Sequence, residues 1–282
     1  MTESTVPMRA KVPGHIGFAG WGHANQMIFQ LLQARSPRLG AELRLLAPAA
    51  GTDIPADVRT VPTVEGLLGE AGPIFVDLDS AALQQVLPLM RLAISDRNIM
   101  VLAGDGLSAG TVLRQLHERK LIRCLVTPFQ SPAQATLAYY ATPYVQRSEM
   151  GVFRALFEHV EFVVQLDSEV QFEVARGLAG VAPAVFFTMV DAMADGALMT
   201  GLPRAEALPF LASVMLGAAH VLRESGEHPA LLRERTLAAA AAAAGLMEFE
   251  SAGLRGLMMR VVDKAIRQTR IEEAAEPPSA RD

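Results

Sequence analysis

The stretch His15-Ile16-Gly17-Phe18-Ala19-Gly20-Trp21-Gly22 decides the fold. It reads as a short apolar strand ending in glycines, and the following Gln26 to Ala34 carries Met27, Ile28, Leu31 and Leu32 at helical spacing. A strand, a glycine turn and a helix in that order open an α/β domain. Small residues in the turn let the backbone approach a pyrophosphate, which the helix N-terminus then stabilises. Gly17, Gly20 and Gly22 have the spacing G-x-x-G-x-G, a variant of the dinucleotide fingerprint, with His23 and Ala24 opening the helix behind them. Trp21 stands between two of the glycines, where an indole either stacks on a cofactor or blocks one.

Working outward, apolar runs recur at Leu43 to Leu46, Ile74 to Leu78, Ile99 to Ala103 and Ile122 to Val126. Helix-compatible stretches such as Ala81 to Leu92 and Ser108 to His117 lie between them. This alternation predicts a parallel sheet covered on both faces. From about Glu149 the chain reads as helices rich in Ala, Leu and Met, with one strand near Phe162 to Gln165. The expected layout is an α/β fold: a Rossmann-like dinucleotide-binding domain over 1–148, an all-α dimerisation and substrate domain over 149–272, and a disordered tail over 273–282. Gly201 with Pro203, and Gly226 with Pro229, mark interhelical turns, because glycine stops a helix and proline is tolerated in a first helical turn.

Composition narrows the function. The chain has 282 residues, 51% of them apolar and 20% charged, with a formal net charge of −5, which suits a globular soluble protein and argues against a nucleic-acid footprint. Cys124 is the only cysteine, so neither an internal disulfide nor a cysteine-built zinc site is possible, and a reducing, cytoplasmic setting is expected. No histidine or carboxylate cluster has metal-ligand spacing. Val181 to Leu202 is apolar enough to suggest a membrane span, but Asp191 and Asp195 fall in it, and each acid costs ~2.5–3.5 kcal/mol at a bilayer centre. Met1 to Gly14 lacks the apolar core of a signal peptide and reads as a short leader. Leu45 to Thr52 at the end of the second strand offers neither the acid expected for NAD nor the base expected for NADP, so NADPH and NADH stay open. Lysines occur only at Lys11, Lys120 and Lys264, which argues against the reductases of this layout that place a catalytic lysine early in the helical domain.

The C-terminal half carries a more specific signal. Asp191-Ala192-Met193-Ala194-Asp195-Gly196, Gly201-Leu202-Pro203-Arg204, Leu216-Gly217-Ala218-Ala219 and Glu224-Ser225-Gly226-Glu227-His228-Pro229 with Leu232-Arg233 occur in one order. This series resembles the dimerisation domain of pyrroline-5-carboxylate reductases. Ile16 to Gly22, Ala103-Gly104, and Gly245-Leu246 with Phe249-Glu250 fit the same family, so the resemblance spans nearly the whole chain. It implies a homodimer or larger homo-oligomer that reduces a cyclic imine with NADPH or NADH. Cofactor contacts are then expected at Gly17, Gly20, Trp21, Gly22, His23, Ala24, Leu78, Ala103 and Gly104.

The departures from the family cluster at its substrate turns. The Ser-Gly-Ser-Gly-Pro-Ala-Tyr turn of the family reads Ala179-Gly180-Val181-Ala182-Pro183-Ala184-Val185 here, and its Ser-Pro-Gly-Gly-Thr-Thr turn is replaced by the alanines Ala238 to Ala244. Val-Lys-Pro becomes Leu78-Asp79-Ser80, and the Asn of the Met-Pro-Asn-x-Pro segment becomes Gln130. Imine reduction needs a proton source and donors for the substrate carboxylate, and alanine side chains supply neither. Alanine favours helix, so the run is expected to turn a substrate loop into helix. Arg176, where the family has threonine, offers a replacement fork for a carboxylate. Substrate contacts are therefore expected at Gln130, Arg176, Gly180, Val181 and Pro183; no catalytic residue is assigned. The expected activity is reduction of a non-standard C=N substrate. The alternatives are an inactive family member serving as a scaffold or partner subunit, and a non-redox enzyme on a related cyclic, amino-acid-derived substrate.

Overall fold

The computed structural model of the chain describes residues 14–35, 40–47, 51–69, 72–104, 109–116, 120–128, 131–237 and 240–275. The chain runs through β1 (His15–Ala19), α1 (His23–Arg35), β2 (Glu42–Leu46), β3 (Val58–Val61), α2 (Val64–Leu68), β4 (Pro73–Val76) and α3 (Ser80–Ala93). It continues with β5 (Ile99–Leu102), α4 (Ala109–Leu116), β6 (Leu121–Val126), β7 (Thr136–Ala141), α5 (Arg147–Leu156) and β8 (Phe162–Leu166). Five helices follow: α6 (Glu169–Met199), α7 (Arg204–Ser225), α8 (Pro229–Thr236), α9 (Ala240–Ser251) and α10 (Leu254–Ala275). Two compact units result, one over 1–176 with 270–282, the other over 177–269.

The first unit is built on an eight-stranded sheet in the order β3-β2-β1-β4-β5-β6-β7-β8. Successive side chains along a strand point to opposite faces, and each face here has its own apolar cluster. Ile16, Phe18, Phe75, Val101 and Ile122 pack with Ile28 and Leu31 of α1 and Phe153 of α5. Ala19, Ile74, Val76, Met100 and Leu102 pack with Leu67 of α2, Leu83 and Leu87 of α3 and Val112 of α4.

The sheet is parallel as expected except at one pair, where β7 runs antiparallel to β6. Only a short connection separates them, and a parallel pair would need a crossover of a dozen or more residues. The domain boundary also moves. β8 pairs in parallel with β7, and α5 buries Phe153 and Leu156, so the sheet unit continues to Arg176 and the boundary expected at 148/149 lies inside it. In the tail expected to be disordered, 273–275 belong to α10 and the rest lies outside the described residues.

In the second unit the predicted turns are present. Pro203 precedes α7, and Gly226, with φ +63°, ends it in the left-handed conformation that glycine adopts without cost. The His228 ring then accepts a hydrogen bond from the Ala230 N–H at 3.2 Å, and Pro229 starts α8. Arg204 pairs with Asp191 and Asp195, the two acids that interrupt the apolar run.

Candidate functional site

β1 leads on one side to β2, while β4, its other neighbour, leads on to β5. The crevice beyond the ends of β1 and β4 is therefore the topological switch point, where open α/β sheets bind ligands. The turn between β1 and α1 lies there. Gly20 has φ +87°, and a Cβ on it would stand 2.0 Å from the Asp77 carbonyl oxygen, so both conformation and space demand glycine.

A Cβ on Gly22 would meet the Asp77 carboxylate at 2.4 Å, and one on Gly104, beyond β5, would meet the same carboxylate at 2.4 Å. The carboxylate accepts the backbone N–H of Asn25, the third residue of α1, at 3.0 Å. Asp77 is held one residue past β4 by its own N–H, which donates to the Ala19 carbonyl at 2.9 Å. Asn25 is fully buried, and its amide nitrogen donates to the carbonyls of Gly20 at 2.8 Å and Phe75 at 3.2 Å. Its Oδ1 has no hydrogen-bond partner among the described residues. The turn is thus locked from inside by two side chains that the glycine pattern does not announce. Asn25 was within reach of sequence reading: counted from Gly20, the frame G-x-G-x-x-G puts it where a third small residue belongs. Asp77 was not, because its partner lies 52 residues away.

The other expected cofactor contacts divide. Gly17 lies within β1, where a Cβ would meet Leu67 at 3.1 Å and Ile74 at 3.3 Å, so close packing of the sheet against α2 favours glycine there. The Trp21 ring packs edge-on against Phe18 at 5.6 Å and Phe29 at 5.4 Å, anchoring the turn to the core. His23 is exposed at the first position of α1, and Ala24 is half-buried behind it. Leu78 packs against the second apolar cluster, while Ala103 and Gly104 donate their N–H groups to the Val76 carbonyl. Asp79 caps α3, accepting the Ala82 N–H at 2.8 Å.

Of the expected substrate residues, Gln130 lies outside the described residues. Arg176 belongs to the sheet unit, where its Nε and Nη2 reach Glu173 at 2.9 and 2.6 Å. Gly180, Val181 and Pro183 sit within the uninterrupted α6, not in a turn that opens a helix. Ala240 to Ala244 are helical, as alanine propensity predicts, and Ala238 and Ala239 lie outside the described residues. Cys124 is buried on β6, and burial pushes its thiol far above the ordinary range, which rules it out as a nucleophile. Among the described residues no group of His, Cys, Asp or Glu could hold a metal.

As a dinucleotide site the arrangement fits in one respect and fails in another. The glycine turn, the helix start and the switch point suit a pyrophosphate. The Asp77 carboxylate, already seated on the N-terminus of α1, does not.

Comparison with known proteins agrees with the fold. The family model for pyrroline-5-carboxylate reductase dimerisation matches residues 169–271. Pyrroline-5-carboxylate reductase of Escherichia coli (strain K12) is 26% identical over 228 residues, covering 78% of this chain and 83% of that protein. Pyrroline-5-carboxylate reductase 2 of Homo sapiens is 32% identical over 181 residues, covering 62% of this chain and 56% of that protein. Among solved structures, the Plasmodium falciparum pyrroline carboxylate reductase with NADP bound gives a TM-score of 0.75 at 14% identity, covering 92% of this chain and 98% of that one. The Coxiella burnetii pyrroline-5-carboxylate reductase gives 0.78 at 17%, covering 91% and 97%. Residues 169–271 thus match the dimerisation domain of pyrroline-5-carboxylate reductases, and the chain as a whole is similar to that family.

Proposed function

We infer that the chain is an NAD(P)H-dependent reductase acting on a C=N bond in a substrate other than pyrroline-5-carboxylate. The observation that carries this reading is the glycine turn at the switch point, with Gly20 at positive φ and α1 opening directly behind it. Similarity to pyrroline-5-carboxylate reductases supports the reaction class, and the bound NADP of the Plasmodium falciparum relative supports the cofactor class. When bound, a reduced nicotinamide supplies hydride. This chain's own residues hold the turn: Asn25 ties it to β4 and Trp21 ties it to the core.

The altered substrate comes from the altered donors. Ala240 to Ala244 form helix and offer no side-chain hydrogen bond, and Val181 and Pro183 are apolar. An acidic substrate reaching Arg176 has to compete with Glu173 for the same guanidinium. α6 and α7 are long and apolar enough to cross a membrane by length and composition. We read them as contacts between copies of the chain, because the Asp191, Asp195 and Arg204 cluster would be costly in lipid. A homo-oligomer in the cytoplasm is the matching assembly and location.

Proline formation from pyrroline-5-carboxylate, assayed with both nucleotides, should be absent or about 10²–10³ below that of an ordinary family member, the typical cost of losing one preorganised donor. A panel of bulkier, more apolar cyclic imines should oxidise NADPH or NADH faster. Ordinary proline synthesis would overturn the substrate reading. Inertness toward every imine would favour the scaffold alternative, for which the seated Asp77 is the specific observation.

A further inference from the structure

We propose that the Asp77 carboxylate is a built-in competitor for the dinucleotide pyrophosphate at the N-terminus of α1, so that nucleotide binds only when this charge is displaced or neutralised. The inference rests on the reductase reading and adds to it the residue that sets nucleotide affinity.

A helix N-terminus attracts phosphate through its unpaired N–H groups and its partial positive charge. Here one of those groups, the Asn25 N–H, already has an anionic partner at 3.0 Å. The carboxylate lies between Gly22 and Gly104, its Oδ2 2.4 Å from a Cβ on the first and its Oδ1 2.4 Å from a Cβ on the second, so it takes up the room that the missing side chains leave beside the turn. Asp77 cannot retreat with its backbone, which the sheet holds through the Ala19 carbonyl, so only rotation of its side chain clears the turn. Among the described residues no lysine or arginine pairs with it; the partner of its carboxylate is the Asn25 N–H. Asn25 adds no compensation, since its amide nitrogen is spent on the carbonyls of Gly20 in the turn and Phe75 in β4, and its free oxygen is an acceptor. A negatively charged acceptor thus occupies a place where a phosphate needs donors.

The test is titration of the full-length protein, Asp77→Asn and Asp77→Ala with NADPH, NADH and ADP-ribose, read by the fluorescence of Trp21, the only tryptophan. Asp77→Asn keeps size and an acceptor while removing charge, and thermal melts establish that both variants fold. Removing a like charge from the contact should tighten NADPH and ADP-ribose by about tenfold or more in both variants. Unchanged or weaker nucleotide affinity in both, with micromolar binding by the unaltered protein, would overturn the proposal and leave the reductase reading standing. A gain for NADPH with none for ADP-ribose would also overturn it, because the pyrophosphate would not be the group opposed. Silence at millimolar nucleotide from all three proteins would overturn proposal and reading together. Binding by the variants alone would support the proposal and count against turnover by the natural sequence.

Discussion

Arg123 lies on β6 with its side chain only 3% exposed, facing Glu169 and Glu173 on the first turns of α6, the second of them 7% exposed. Its guanidinium also lies over the Phe172 ring at 4.4 Å. Breaking such a pair from one side leaves an uncompensated buried charge, which costs far more than the pair itself contributes. Arg123→Met should therefore destabilise the protein by about 3–5 kcal/mol in urea unfolding, and adding Glu173→Gln should recover part of the loss. A loss below about 1 kcal/mol, the range of an exposed pair, would show that water reaches the cluster. The same chemistry bears on Arg176. The fork anticipated for a substrate carboxylate exists, but in this structure Glu173 fills it. Sequence alone marks Arg176 as able to bind a carboxylate and also places Glu173 one helical turn before it; the structure adds that the two are paired.

Among the elements, α6, like α3 with Pro88 and α7 with Pro209, is one whose sequence and structure pull apart. Pro183 lies inside this 31-residue helix, where proline lacks the N–H donor and crowds the preceding turn. Pro183→Ala should raise the melting temperature, since proline is about 3 kcal/mol less favourable than alanine in a helix interior. An unchanged or lowered melting temperature would mean that the assembled protein uses the irregularity. Much of the element order was legible because strands such as Ile99–Leu102 are unbroken apolar runs and helices such as α3 show a clear period. β3 and α2 escaped because each is only four or five residues long, too short for a period to show. α5 was recognised as helical but assigned to the wrong unit, since a helical period says nothing about the surface that receives its apolar face. The site was legible as far as local geometry dictates it, at Gly20 and Gly22. It was hidden where β4 brings Asp77 beside α1.

At the scale of the whole molecule, the two units bury apolar surface very unequally. The sheet unit has two well-populated clusters, whereas in the described part of 177–269 the only buried apolar side chains are Ala194 and Ala207. Phe187 is 73% exposed, Met199 88% and Phe210 63%, and none of the side chains of α8 or α9 is buried. Helices of this length draw most of their stability from packing an apolar face, and monomeric proteins rarely leave apolar patches of this extent in water. The missing core must come from elsewhere, and a second copy presenting the same helices is the occupant that the match of 169–271 to a dimerisation domain favours. Light scattering at low micromolar concentration should therefore give at least a dimer mass. The melting temperature should rise with protein concentration, as it does when folding and association are coupled. Phe187→Glu and Phe210→Glu should each weaken the assembly while leaving the sheet unit folded, visible as an intact near-ultraviolet signal from Trp21. A stable monomer with a concentration-independent melting temperature would overturn this, and would require some other cover for the apolar faces of α6 and α7.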